Sequence, residues 1–189
     1  MECLLTLLAF KVAEPGNFFL SLGNHETESV GKLQFHKESV RKYGNDEFFK
    51  LAHSLFKSFP VAYLIQNEVF VTHGGISPEM KLDEIRDVGR FDPDLQDQEL
   101  INDLIWSDPV DTEGFTESHR GLGLLFGPDV TKQFVTSNNI SVVIRSHQYK
   151  EFGFSEQHEG LCITIFSCPK YKYKTLTIGV FLIYYLGVN

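Results

Sequence analysis

The chain predicts an α/β or α+β layered core, one sheet or two with helices outside, on three observations. Short apolar, β-branched runs alternate with segments whose apolar residues recur at helical spacing. Its 189 residues, 42% of them hydrophobic, suit one domain with a sizeable core and are few for two. Three of the apolar runs stop on polar groups, at Asn24 with His25, at His73 and at His147. Open sheets of this kind place ligand and catalytic groups at the carboxyl ends of their strands.

Taken in order, "MECLLTLLAFKV" is apolar without a basic leader region or a small-residue cleavage site, and predicts a helix packed by one face rather than a signal peptide. "NFFLSL" predicts a strand broken by Gly23, which leaves Asn24, His25 and Glu26 in a loop. In "NDEFFKLAHSLFKSFP", Phe48, Leu51, Ala52, Leu55, Phe56 and Phe59 fall at helical spacing. Asn45 or Asp46 caps that helix, Pro60 stops it, and His53 is structural. "VAYLIQNEVFVTHGG" predicts two strands joined by a turn near Gln66 and Asn67, the second running through Thr72 and His73 into a double glycine. "KLDEIRDV" and "ELINDLIW" predict short helices around an acidic loop, and "GPDVTKQFVTSNN" a helix starting after Pro128. "ISVVIRSHQ" is a β-branched strand ending on Arg145, Ser146 and His147, and "LCITIFSCP" a further strand stopped by Pro169. The apolar run in "TLTIGVFLIYYLGVN" is well short of the ~20 residues of a membrane span and predicts a buried strand. The sequence has no internal repeats or linkers.

A formal charge of -8 argues against nucleic acid as a partner, since phosphate-backbone binding draws on clustered Lys and Arg. Cys3, Cys162 and Cys168 are odd in number and lack CxxC spacing, which fits reduced thiols in a cytosolic or nuclear protein. A cysteine-nucleophile phosphatase needs an Arg at short range after its Cys, and no Arg follows Cys162 or Cys168.

Neutral imidazole is the commonest ligand for transition metals, and an Asn carbonyl oxygen suits manganese or iron as well as zinc. Taken singly, each His reads as structural; together, Asn24, His73 and His147 read as part of a ligand shell. Asn24 and His25 are adjacent, so in extended backbone their side chains diverge and one is left for another task. An imidazole beside a bound phosphate can protonate a leaving oxygen, which makes His25 a general acid. Arg120, followed by glycines that allow close backbone approach, has the planar fork that matches two phosphate oxygens. "WSDP", Trp106 to Pro109, reads as a packed aromatic followed by a turn.

In these residues the chain resembles the catalytic domain of the phosphoprotein phosphatases, the serine/threonine phosphatases with a calcineurin-like β-sandwich flanked by helices. "FFLSLGNHETES", "VFVTHGGISPE", "LIWSDP", "HRGLGLLFGPDV", "IRSHQ" and "ITIFSCPKY" occur in that family's order, over residues 3–173. "FGPDVT" is most similar to the type 5 branch. The resemblance implies hydrolysis of phosphoserine and phosphothreonine esters by a metal-activated water, with two divalent ions, manganese or iron and zinc. It implies that Asn24, His73 and His147 bind the second ion, that His25 is the proton donor and that Arg120 clamps the phosphate. Tyr171 matches an aromatic residue near the substrate site. Phosphorylated proteins are the implied substrates and regulatory subunits the implied partners, with no membrane partner.

Two blocks of that family, Gly-Asp-x-His-Gly and Gly-Asp-x-x-Asp-Arg-Gly, do not occur in the sequence. They supply the first ion's ligands, the bridging carboxylate and a second phosphate-binding Arg. The expectation is a single partial domain over residues 1–189, truncated at its amino end and divergent over 174–189. At most one metal site is then well formed, and the chain is weakly active or inactive alone. Leu22 replaces an Arg usual before the glycine, and Lys170 and Lys172 stand where Asn and Cys are common. The competing readings are a catalytically dead phosphatase-like binding module and a metallophosphoesterase for nucleotides or small phosphates, which "WSDP" and "FSCPKY" disfavour.

Overall fold

A computed structural model of the chain describes residues 1–88, 99–168, 171 and 178–185. Its centre is a mixed sheet ordered β1-β2-β6-β8-β7, built from β1 (Ala62–Ile65), β2 (Val69–Thr72), β6 (Val142–Arg145), β7 (Phe154–Gln157) and β8 (Cys162–Ile165). β2, β6 and β8 run parallel, with β1 and β7 antiparallel at the edges. The register sets the two faces. Phe70 pairs with Val143 and Val143 with Cys162, so all three project to one side; Val69, Val142 and Ile144 project to the other.

The first side carries the main core. Ala52 and Phe56 of α4 (Glu47–Phe56), Ile101, Leu104 and Ile105 of α6 (Glu99–Trp106), and Val130, Phe134 and Val135 of α7 (Pro128–Ser137) bury against Phe70, Val143 and Cys162. Phe70 meets Phe134 edge to face at 5.1 Å. Each large side chain so buried stabilises the fold by roughly 1.5–3 kcal/mol. The second side holds a smaller cluster of Val69, Val142 and Ile144, with Val71, Ile163 and Ile165 only partly covered. A three-stranded sheet ordered β3-β5-β4 is made by β3 (Asp108–Pro109), β4 (Phe115–Glu117) and β5 (Leu124–Phe126).

The layered α/β class, the β1-β2 hairpin, α4, α5 (Leu82–Asp87), α6, α7, β6 and β8 appear where the sequence places them. The hairpin turn has Gln66 and Asn67 at positive φ. Four expectations are corrected. "NFFLSL" forms no strand: Leu22 N–H donates to the Pro60 carbonyl at 2.8 Å, but proline has no N–H to return and the ladder stops. α1 (Glu2–Ala13) buries none of its residues, because its apolar side chains lie all round the helix, and only Leu4 packs against the main cluster. On α4 the buried face is Phe49, Ala52, His53 and Phe56, whereas Leu51 is exposed. Residues 178–185 form no strand, and Phe181 and Tyr185 are exposed. Ser167 Oγ bonds both the N–H and the carbonyl of Val180, so a side chain occupies the backbone groups a strand partner would need. α2 (Glu28–Gly31), α3 (Phe35–Tyr43) and the small sheet were not anticipated. The acidic loop over 89–98, Pro169, Lys170, Lys172 and the rest of the final segment lie outside the described residues.

Candidate active site

Asn24, His25 and Glu26 form a single 3-10 turn. Gly23 N–H donates to Glu26 Oε2 at 2.9 Å, which folds the carboxylate back over the turn, and burial pushes that carboxyl group up. A Cβ on Gly23 would lie 2.9 Å from His73 Nδ1, so only glycine lets this turn approach the histidine. The turn separates the two neighbours as expected: Asn24 is buried and His25 exposed.

His73 follows β2 and His147 follows β6, the next strand in the sheet. Strand ends therefore deliver two of the predicted ligands, and a 3-10 turn delivers the third. The His73 loop is pinned to α6, since Thr72 Oγ1 and Gly74 N–H both donate to the Leu104 carbonyl, at 2.8 and 2.7 Å. His147 turns inward through a left-handed backbone, φ 67°, while Ser146 N–H donates to the His73 carbonyl at 3.1 Å.

These turns bring Asn24 Oδ1 to 2.8 Å from His73 Nε2, and His73 Nε2 to 3.1 Å from His147 Nδ1. Burial, then the charge of its neighbour His147, holds His73 down to about 3. Burial, then the charge of Arg120, holds His147 down to about 3. Both imidazoles are neutral at neutral pH and offer lone pairs. One imidazole hydrogen cannot serve every acceptor here, and ligands ~2.1 Å from an ion at right angles to one another lie about 3 Å apart. The three atoms thus fit one borderline divalent cation. Among the described residues no group of three or more His, Cys, Asp or Glu side chains could hold a metal, so the donor set rests on the Asn24 amide with the two imidazoles.

Arg120 is exposed, and its Nε donates to Asp108 Oδ2 at 2.7 Å. Asp108 Oδ1 accepts from Nη2 of Arg145 at 2.8 Å. Arg145 is wholly buried and also donates to the carbonyls of Gly74 and Ser107 and to Gln148 Oε1. Burial lowers its guanidinium to about 10, against the pull of Asp108, and it stays charged. Tyr171 stacks on Tyr149 with ring centroids 5.5 Å apart, and Tyr149 lies two residues beyond His147. His25 shares the Asn24 turn, close enough for its charge to depress both His73 and His147.

The structure therefore unites Asn24, His73 and His147 directly, and links Arg120 to them through Asp108, Arg145 and Gly74. Sequence reasoning missed Asp108 and Arg145. The available signal was a cation at the end of a β-branched run, since a buried charge demands a buried counter-charge.

Two parallel strands ending beside imidazoles, with an amide against them and a guanidinium nearby, gather neutral donor atoms and a cation at one end of the sheet. Residues 1–151 match the Metallophos family, calcineurin-like phosphoesterase, and the chain belongs to that family. It is 42% identical to serine/threonine-protein phosphatase T of Trypanosoma brucei brucei, over 96% of this chain and 39% of that protein. It is 39% identical to serine/threonine-protein phosphatase 5 of Arabidopsis thaliana, over 96% of this chain and 34% of that protein. A solved Saccharomyces cerevisiae protein serine/threonine phosphatase with similarity to human phosphatase PP5 superposes with a TM-score of 0.86 at 33% identity, covering 94% of this chain and 56% of that one. The chain thus spans well under half the length of those two curated relatives, 39% and 34%.

Proposed function

We propose that the chain carries the phosphate-handling half of a protein serine/threonine phosphatase, acting on phosphoserine and phosphothreonine esters of proteins. The observation that supports this best is the convergence of Asn24 Oδ1 and His147 Nδ1 on His73 Nε2, at 2.8 and 3.1 Å. Manganese, or iron or zinc, is the ion this set suits. A divalent cation there supplies Lewis-acid polarisation of the phosphoryl oxygens and of water.

The chain's own residues do the rest. Arg120 presents its fork to two phosphoryl oxygens. His25, exposed on the turn whose other side chain is the ligand Asn24, gives its proton to the departing Ser or Thr oxygen. Tyr171 flanks the peptide. A cysteine nucleophile is disfavoured: burial pushes the Cys162 thiol up to about 11. The free cysteines among the described residues fit the cytosol or nucleus.

The three donor atoms suit a single cation, and this favours a second reading, a phosphatase-like module that binds phosphopeptides without turnover. One experiment separates the two. Manganese-dependent hydrolysis of a phosphoserine peptide is measured for this chain and for the chain joined to a segment carrying Gly-Asp-x-His-Gly and Gly-Asp-x-x-Asp-Arg-Gly. Activity in the joined form, lost in His25→Asn, is the expected result. Manganese uptake without turnover in either form points to the binding module.

A further inference from the structure

Asp108 is a buried carboxylate on which two guanidiniums converge. Its inner oxygen accepts from Arg145, whose side chain is 0% exposed, and its outer oxygen from Arg120, whose side chain is 39% exposed. Arg145 cannot shift without abandoning the Gly74 and Ser107 carbonyls, and Gly74 adjoins the ligand His73. Asp108 is therefore fixed from within. It engages Arg120 only at Nε, and among the described residues the two Nη groups of Arg120 have no hydrogen-bond partner. The bond leaves the terminal fork to a ligand while removing the freedom of its long stem.

We infer that Asp108, anchored by Arg145, is a positioning residue that aims the Arg120 fork at the phosphoryl group. The inference rests on the phosphatase reading above, in which Arg120 clamps phosphate. Charge and position pull in opposite directions here. Removing a carboxylate beside Arg120 raises the local positive potential and by itself tightens anion binding; loss of aim weakens it.

The test is calorimetric titration of inorganic phosphate onto the manganese-loaded full chain and its Asp108→Asn variant. An amide has one acceptor oxygen and holds only one of the two guanidiniums. Phosphate affinity is expected to fall about tenfold, the worth of one charge-assisted hydrogen bond, with manganese affinity kept within about twofold. In an Arg120→Ala background, Asp108→Asn should no longer weaken phosphate binding, leaving only the electrostatic gain. Tighter binding in D108N, or effects that multiply in the double variant, overturns the inference alone. No phosphate uptake by the parent chain overturns the phosphatase reading and the inference with it. If D108N does not fold, the parent chain decides. The Arg120 Nε–H signal, assigned by its loss in R120A, should be a separate, slowly exchanging proton–nitrogen NMR peak at neutral pH. A peak merged with those of free arginine side chains overturns the inference.

Discussion

Phe70 and Val71 are neighbours on β2, yet they face different surroundings. Phe70 points into the layer formed by α4, α6 and α7, and is fully buried. Val71 points to the side where Val69, Val142 and Ile144 make a small cluster and where Tyr63, Ile65 and Phe19 line an open apolar groove. The helical side alone holds the loops that present His73 and His147, through the Leu104 carbonyl and through Arg145. The geometry of the site and the completeness of the apolar covering are thus separate properties of this fold.

Substitutions that treat the two sides differently sharpen that comparison. Phe70→Ala is expected to cost about 3–5 kcal/mol in urea unfolding, because it opens a cavity against Phe134. An equal loss from Val71→Ser would mean that the open side is covered in solution. His73→Ala should lower manganese affinity on the order of 100-fold or more while leaving the melt of the helical side in place. A collapse of the melt would instead tie the site to the core.

The pH response is comparable in size to the loss from Phe70→Ala. His73 and His147 are neutral in the fold down to about 3, while the unfolded chain takes up protons near pH 6.5. The unfolded state therefore binds more protons between those values, and stability falls as pH drops from 6.5 toward 3. Thermal melts at pH 7 and pH 4.5 should show the loss, and histidine NMR signals of the folded chain should show no protonation at His73 or His147 over that interval. The smallest effect is Val71→Ser itself, within about 0.5–1 kcal/mol.

The parallel strands were legible because β-branched runs such as "VVIR" need no alternation when both faces are apolar. The candidate cluster stood out because Asn24, His73 and His147 each follow closely on an apolar run. α3, "FHKESVRKY", was not, since few of its residues are apolar and its one-sided spacing is carried largely by charged side chains. β3, β4 and β5 are two or three residues long, too short for a period to declare itself. "NFFLSL" misled because strand formation depends on the partner, and Pro60 cannot complete a ladder. Asp108 was read as a turn residue because its partner Arg145 lies 37 residues away, beyond the reach of any local pattern.

Arg145 bears on time as well as on structure. Its bonds span 71 residues to Gly74 and 37 to Asp108, so they form only after long segments of chain have closed. Contacts that close after the folding transition state act on the unfolding rate. Arg145→Met is accordingly expected to shorten the life of an assembled site, speeding unfolding more than it slows folding in stopped-flow urea jumps.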